Sequence, residues 1–122
     1  KSMAPTAEEA DRVLKLARQR GIFFLHGVWS RFFPAMRAIR EAIASGAIGT
    51  VYSAHASFCQ ADGAGCCSAM AETGIYCIQF LSWVFGGDAE VAGVSYDLDR
   101  QSGHDTHVAA TVRFGSGGIG TL

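Results

Sequence analysis

The longest apolar run of the chain, ETGIYCIQFLSWVFGG from Glu72 to Gly87, repeats at helical spacing. Gly74, Cys77, Leu81 and Val84 share one face, and Ile75, Ile78 and Phe85 lie beside them. That pattern predicts a helix buried on most sides. One polar stripe interrupts it. Glu72, Tyr76, Gln79 and Trp83 are spaced four, three and four, which stacks their side chains on one face. A phenol next to a carboxylate on such a helix is either a core tyrosine with a wetted tip or the edge of an active site. The helix by itself leaves both readings open.

The remaining elements follow from local signals. Thr6-Ala7-Glu8-Glu9 is a capping box that starts a helix. Ala10, Val13, Leu14 and Ala17 form its apolar stripe, Arg18 and Arg20 suit its negative end, and Gly21 stops it. Ile22-Phe23-Phe24-Leu25 is a continuous apolar run, which predicts a strand buried on both faces, as in a parallel sheet. A helix followed by such a strand is the tail of a βαβ unit. The connection HGVWSRFFP comes next. Open α/β sheets bind ligands beyond the carboxyl ends of their strands, so Trp29 and Arg31 fall where a ligand is expected. Phe32 and Phe33 read as anchors to the core. Pro34 opens a second helix with Met36, Ile39 and Ile43 on its apolar side, and Gly46 ends it. From Val51 the period becomes two. Tyr52, Ala54, Ala56 and Phe58 alternate with Ser53, His55 and Ser57, which predicts a strand with one covered face. After the long helix, Val91 to Leu98 and Val108 to Phe114 read as strands. Gly115 to Gly118 reads as a turn, and Ile119 to Leu122 as the start of another strand.

Composition narrows the class. The chain has 122 residues, 49% hydrophobic and 17% charged, with a formal net charge of −1. This is globular and soluble, and too weakly charged for nucleic-acid binding. No apolar run reaches the roughly 18 residues of a membrane span. The first twenty residues are charged and amphipathic, unlike a signal peptide. The chain opens on Lys1, so either its start was processed or it is a piece of something longer. The cysteines Cys59, Cys66, Cys67 and Cys77 include no CxxC pair, which predicts reduced thiols and a cytoplasmic setting. His55, Cys59, Cys66 and Cys67 match no zinc-finger or ribbon spacing, and no metal is expected. Ser102, His104 and Asp105 sit too close together in one loop to align as a hydrolase triad. His26 reads as a polar loop residue.

The order of GIFFLHGVWSRFFPA, AIASGAIGTV, ETGIYCIQFLSWVFGG and SGHDT resembles the glucose–fructose oxidoreductase / inositol dehydrogenase (Gfo/Idh/MocA) family. Within it the likeness is greatest to the branch of dimeric dihydrodiol and D-xylose dehydrogenases. The resemblance implies an α+β fold: the tail of a Rossmann βαβ unit, then helices packed on an open antiparallel sheet. Residues 1–33 would be the residual end of a dinucleotide-binding domain with its cleft loop. Residues 34–122 would be an incomplete α+β substrate and dimerisation domain. Lys1 matches the lysine of the family's Glu-Lys-Pro motif, with Ser2 in place of proline. Tyr76 and Gly74 match the tyrosine and glycine of its Asp-x-Gly-x-Tyr motif, with Glu72 in place of aspartate. Trp29 and Arg31 match residues lining the cofactor and substrate cleft, and Asp105 an acidic residue at the start of a sheet strand.

The implied activity is hydride transfer from a secondary alcohol of a diol, sugar or polyol to NADP or NAD. Tyr76 and Lys1 would be catalytic, Glu72, Trp29 and Asp105 substrate-binding, and Arg31 and Trp29 cofactor-binding. The residue types suit the chemistry, because a phenol takes a hydroxyl proton when a nearby ammonium favours the phenolate. The family's glycine-rich dinucleotide loop belongs upstream of Lys1, the loop from Gln60 to Met70 is shorter than the family's, and the later strands of the sheet are missing. The 122 residues alone are therefore expected to bind no dinucleotide and to be inactive. Two other readings stand beside this one. In one the chain is a non-catalytic remnant that dimerises through an open sheet face carrying Tyr52, Phe58, Val108 and Val112. In the other it keeps a small-molecule pocket around Trp29 and Tyr76 without redox chemistry.

Overall fold

The computed structural model describes residues 2–60 and 68–122. Helix α1 spans Ala7–Gln19, and the Thr6 hydroxyl accepts the Glu9 N–H at 3.2 Å, as the capping box requires. Helix α2 spans Pro34–Ala44 with proline in its first turn. Strand β1 is Ser53–His55. A π-helical turn, Met70–Gly74, runs directly into helix α3, Ile75–Phe85. Gly86 and Gly87, both with φ near +65°, stop that helix in a conformation that costs glycine little. Strands β2 (Ala89–Leu98), β3 (Asp105–Phe114) and β4 (Ile119–Thr121) complete the fold.

The sheet is four-stranded in the order β1-β4-β3-β2. β2, β3 and β4 form an antiparallel meander, whereas β1 pairs with β4 in parallel, Ala54 opposite Gly120. The sheet is therefore mixed, where the sequence predicted antiparallel pairing. Helix α3 packs across it. Leu81 is 1% exposed, Cys77 and Phe114 are buried, and the Phe85 and Phe114 rings lie 4.9 Å apart. A Cβ on Gly120 would come within 2.9 Å of Leu81 Cδ1. The strand approaches the helix closely because it has no side chain there.

Three expectations need correction. Ile22–Leu25 forms no strand and is not buried. Phe23 is 86% exposed. A strand needs a neighbour for its backbone groups, and among the described residues none pairs with this run. The strand expected over Val51–Phe58 is only three residues long, because its partner β4 has only three residues in the ladder. The expected apolar face is open only in part. Tyr52 and Phe58 are exposed as expected, Val108 and Val112 are half-buried, and Val91, Val94, Tyr96 and Leu98 on edge strand β2 add exposed apolar surface that was not expected.

Candidate active site

The site begins at the start of the π turn. Ser68 accepts the Ala71 N–H through its hydroxyl at 3.0 Å and the Glu72 N–H through its carbonyl at 2.9 Å. Asp105, arriving from the first position of β3, accepts the Met70 N–H at 2.8 Å. A carboxylate there satisfies a donor that a helix leaves unpaired and meets the positive end of its dipole. Burial pushes the Asp105 carboxyl up, but hydrogen bonds from Ser68 and from the Met70 N–H outweigh it and hold the group below the usual carboxylate range. Its folded value is thus lowered. The stability it adds is present above the ordinary carboxylate pKa of about 3.9 and is lost as pH falls toward the folded value. Replacing it by alanine (Asp105→Ala) should cost about 1–2 kcal/mol near neutral pH. Urea titrations of both proteins should show that gap closing in acid. A gap that stays constant with pH would remove the charged cap from the account.

One turn further on, the helix presents Tyr76. The Trp29 Nε1–H donates to the Tyr76 hydroxyl at 2.9 Å, and the Phe58 ring stacks on the phenol at 5.5 Å with planes 20° apart. Trp29 sits at the start of a short 3₁₀ turn, Trp29–Phe32, with the Phe33 ring edge-on at 5.2 Å. Indole is only a donor, so this bond occupies a lone pair of the phenol oxygen and leaves the tyrosine's own proton free to move. Two residues along the same turn, Arg31 donates its Nε–H to Gln79 Oε1 at 2.8 Å. Gln79 is buried, and its amide also reaches Ser30 Oγ at 3.4 Å and the Tyr76 carbonyl at 3.2 Å. The 3₁₀ turn is thus fastened to α3 by three side-chain bonds, through Trp29, Ser30 and Arg31.

Two cavities flank α3. The first, about 550 Å³, is lined by Phe58, Met70, Glu72, Gly74, Cys77 and His107 among others. The second, about 470 Å³, lies toward α2 and takes in Arg31, Gln79 and Trp83. The polar stripe therefore runs from one cavity to the other: Glu72 in the first, Gln79 and Trp83 in the second, Tyr76 between them. A Cβ on Gly74 would run into Met70 Sδ, so glycine lets the π turn close on itself.

The structure thus brings together Trp29, Tyr76 and Arg31, and places Glu72 apart from them in the lining of the first cavity. It places Asp105 at the helix start, outside both cavity linings. Ser2 donates to the Ala71 carbonyl at 2.9 Å, and Lys1 lies outside the described residues. So do Cys66 and Cys67; His55 instead bonds Thr121 Oγ1 at 2.9 Å. Burial, with Cys59 nearby, pushes the Cys77 thiol up, away from the reactive thiolate. The Ser102 hydroxyl donates to Asp99 at 2.8 Å. Sequence reasoning passed over Gln79 as an anchor and Phe58 as a stacking partner, since only the fold brings residues so far apart in the chain together. The run Gly115-Ser116-Gly117-Gly118-Ile119-Gly120 has dinucleotide-fingerprint spacing, but it joins two strands and offers no helix N-terminus to a pyrophosphate.

Residues 36–122 match the GFO/IDH/MocA C-terminal domain. The chain belongs to the GFO/IDH/MocA family. Trans-1,2-dihydrobenzene-1,2-diol dehydrogenase of Bos taurus is 32% identical over 130 residues, covering 100% of this chain and 39% of that protein. The Homo sapiens protein of the same name is 38% identical over 89 residues, covering 66% of this chain and 27% of its own length. The chain thus spans less than half the length of the curated relatives it matches. A 3-ketoreductase from Actinomadura kijaniata, solved in complex with NADP, aligns over 100% of this chain and 38% of its own, with a TM-score of 0.86 and 24% identity. A dehydrogenase from Bordetella pertussis, solved with NADH and UDP-GlcNAcA, covers 99% of this chain and 42% of its own, with a TM-score of 0.78 and 19% identity. These structural matches establish the α+β fold of this family member, and its relatives are oxidoreductases.

Proposed function

We propose that this chain supplies the substrate half of an NAD(P)-dependent oxidoreductase that oxidises a secondary alcohol of a diol, sugar or polyol. The observation that carries the reading is the Trp29–Tyr76 hydrogen bond, which fixes the phenol against Phe58 of the first cavity's lining and leaves its own proton available. Tyr76 takes the hydroxyl proton during oxidation and returns it during reduction. Lys1 is its cationic partner, Glu72 orients the substrate from the cavity wall, and Asp105 holds the start of the helix that carries both. Trp29 is 62% exposed and borders substrate and cofactor together. Arg31 keeps its terminal amino groups unspent among the described residues and fits an anionic part of a dinucleotide. The nicotinamide, when bound, accepts the hydride. Residues 1–33 form the end of the dinucleotide domain and 34–122 the substrate domain, in a cytoplasmic protein. The 122 residues alone are inactive, because hydride transfer needs a held cofactor.

A second reading, a dimerising module without turnover that retains a small-molecule pocket, is favoured by the apolar β2 edge with Val91, Val94, Tyr96 and Leu98 exposed. Unpaired apolar edges invite strand pairing or cover. Both readings are tested on one preparation of the full native gene product, assayed for NADP-linked oxidation of diols and aldoses and sized by light scattering. Turnover by a dimer fits the first reading. A dimer with no turnover on any substrate leaves the second, and an inactive monomer removes both.

A further inference from the structure

The second cavity carries cationic residues besides Arg31 that the redox reading does not use. Its lining includes Arg31, Arg37, Arg40 and His26 and, among the described residues, no aspartate or glutamate. Arg37 and Arg40 lie three residues apart on α2, so both project from one side of that helix. Among the described residues the Arg37 side chain has no ion-pair or hydrogen-bond partner, its backbone N–H donating to the Phe33 carbonyl at 3.1 Å. Arg40 rests its guanidinium over the Trp83 ring at 5.8 Å. Arg31 enters from the 3₁₀ turn with its Nε fixed on buried Gln79, so its remaining N–H groups are held in place. The other walls, Leu25, Val28, Phe32 and Ile75, are apolar.

Like charges gathered around one cavity repel unless something neutralises them. Guanidinium groups offer paired N–H donors that match the oxygens of a phosphate. The volume, about 470 Å³, is in the range of small-ligand sites. We propose that this cavity is a seat for a phosphate-bearing small molecule. Arg31, Arg37 and Arg40 grip its phosphate, and Trp83 with the apolar wall faces its organic part. This goes beyond the oxidoreductase reading: it shares Arg31 with that reading but rests on Arg37 and Arg40, which line the second cavity and not the first.

The test is calorimetric titration of the full native product with sodium pyrophosphate at low ionic strength. Saturable binding is expected. The double variant Arg37→Ala/Arg40→Ala should weaken it by about tenfold or more, while Arg12→Ala/Arg18→Ala on α1 should leave it unchanged. The single variant Arg37→Ala, at an exposed position, should show a smaller loss with the fold intact. Absence of saturable binding, or equal weakening by both double variants, would overturn the proposal. Competition by NADP would identify the phosphate as the cofactor's, and its absence would point to a separate phosphorylated ligand. Tyr76→Phe should leave pyrophosphate binding unaltered, so a failure of the redox reading and a failure of this one remain distinguishable.

Discussion

Replacing Tyr76 by phenylalanine in the full native product should lower kcat by roughly 10²- to 10⁴-fold, the usual loss on removing a positioned acid/base. KM should change little, since the ring remains to stack on Phe58. The same variant should be almost as stable as the parent. The Trp29 N–H loses its acceptor, but Trp29 is 62% exposed, so water can take the phenol's place instead of leaving a buried donor unpaired. That separation makes the result readable. Activity within a few-fold of the parent, measured by steady-state kinetics on folded protein, would remove Tyr76 from the chemistry and leave the Trp29 bond as a structural clasp.

The largest expected loss of stability is at Leu81. It is the most deeply buried large side chain, 1% exposed, and its methyl groups fill the space that a side chain on Gly120 would occupy. Leu81→Ala should cost about 2–5 kcal/mol, the transfer of the lost carbons plus the cavity they leave. Gly120 has no side chain to move into that cavity. Ile78 is on the same helix but 40% exposed, and Ile78→Ala should cost far less. Denaturant midpoints for the two variants decide the point. Equal losses would mean that the core is not centred where α3 crosses β4.

Much of the fold was legible because its signals are local. The Thr6 cap, Pro34 at the head of α2, the helical period of α3 and the strands around Gly115–Gly118 each declare themselves within a few residues. The failures concern partners. An apolar run such as Ile22–Leu25 carries the composition of a strand but no information about whether another strand lies beside it. The parallel pairing of β1 with β4 joins residues far apart in the chain, and nothing in Ser53–His55 announces it. At the site, Tyr76, Trp29 and Arg31 were singled out by type, position and family resemblance. Their mutual geometry, and the use of Gln79 as the anchor of Arg31, needed the fold. Arg37 and Arg40 carried no signal in the sequence, and only the cavity between α2 and α3 brings them together with Arg31.

The β1–β4 pairing also sets an order of events during synthesis. The β2–β3 hairpin is local and can form as soon as it emerges from the ribosome. Strand β1 is made long before it and, among the described residues, pairs only with Ile119–Thr121, so that pairing waits for the end of the meander. A contact between Ala54 and Gly120 carries a loop-closure cost that is met late and all at once. A ribosome stalled before Ile119 would therefore hold a nascent chain with helix α3 and a hairpin but an unfinished sheet.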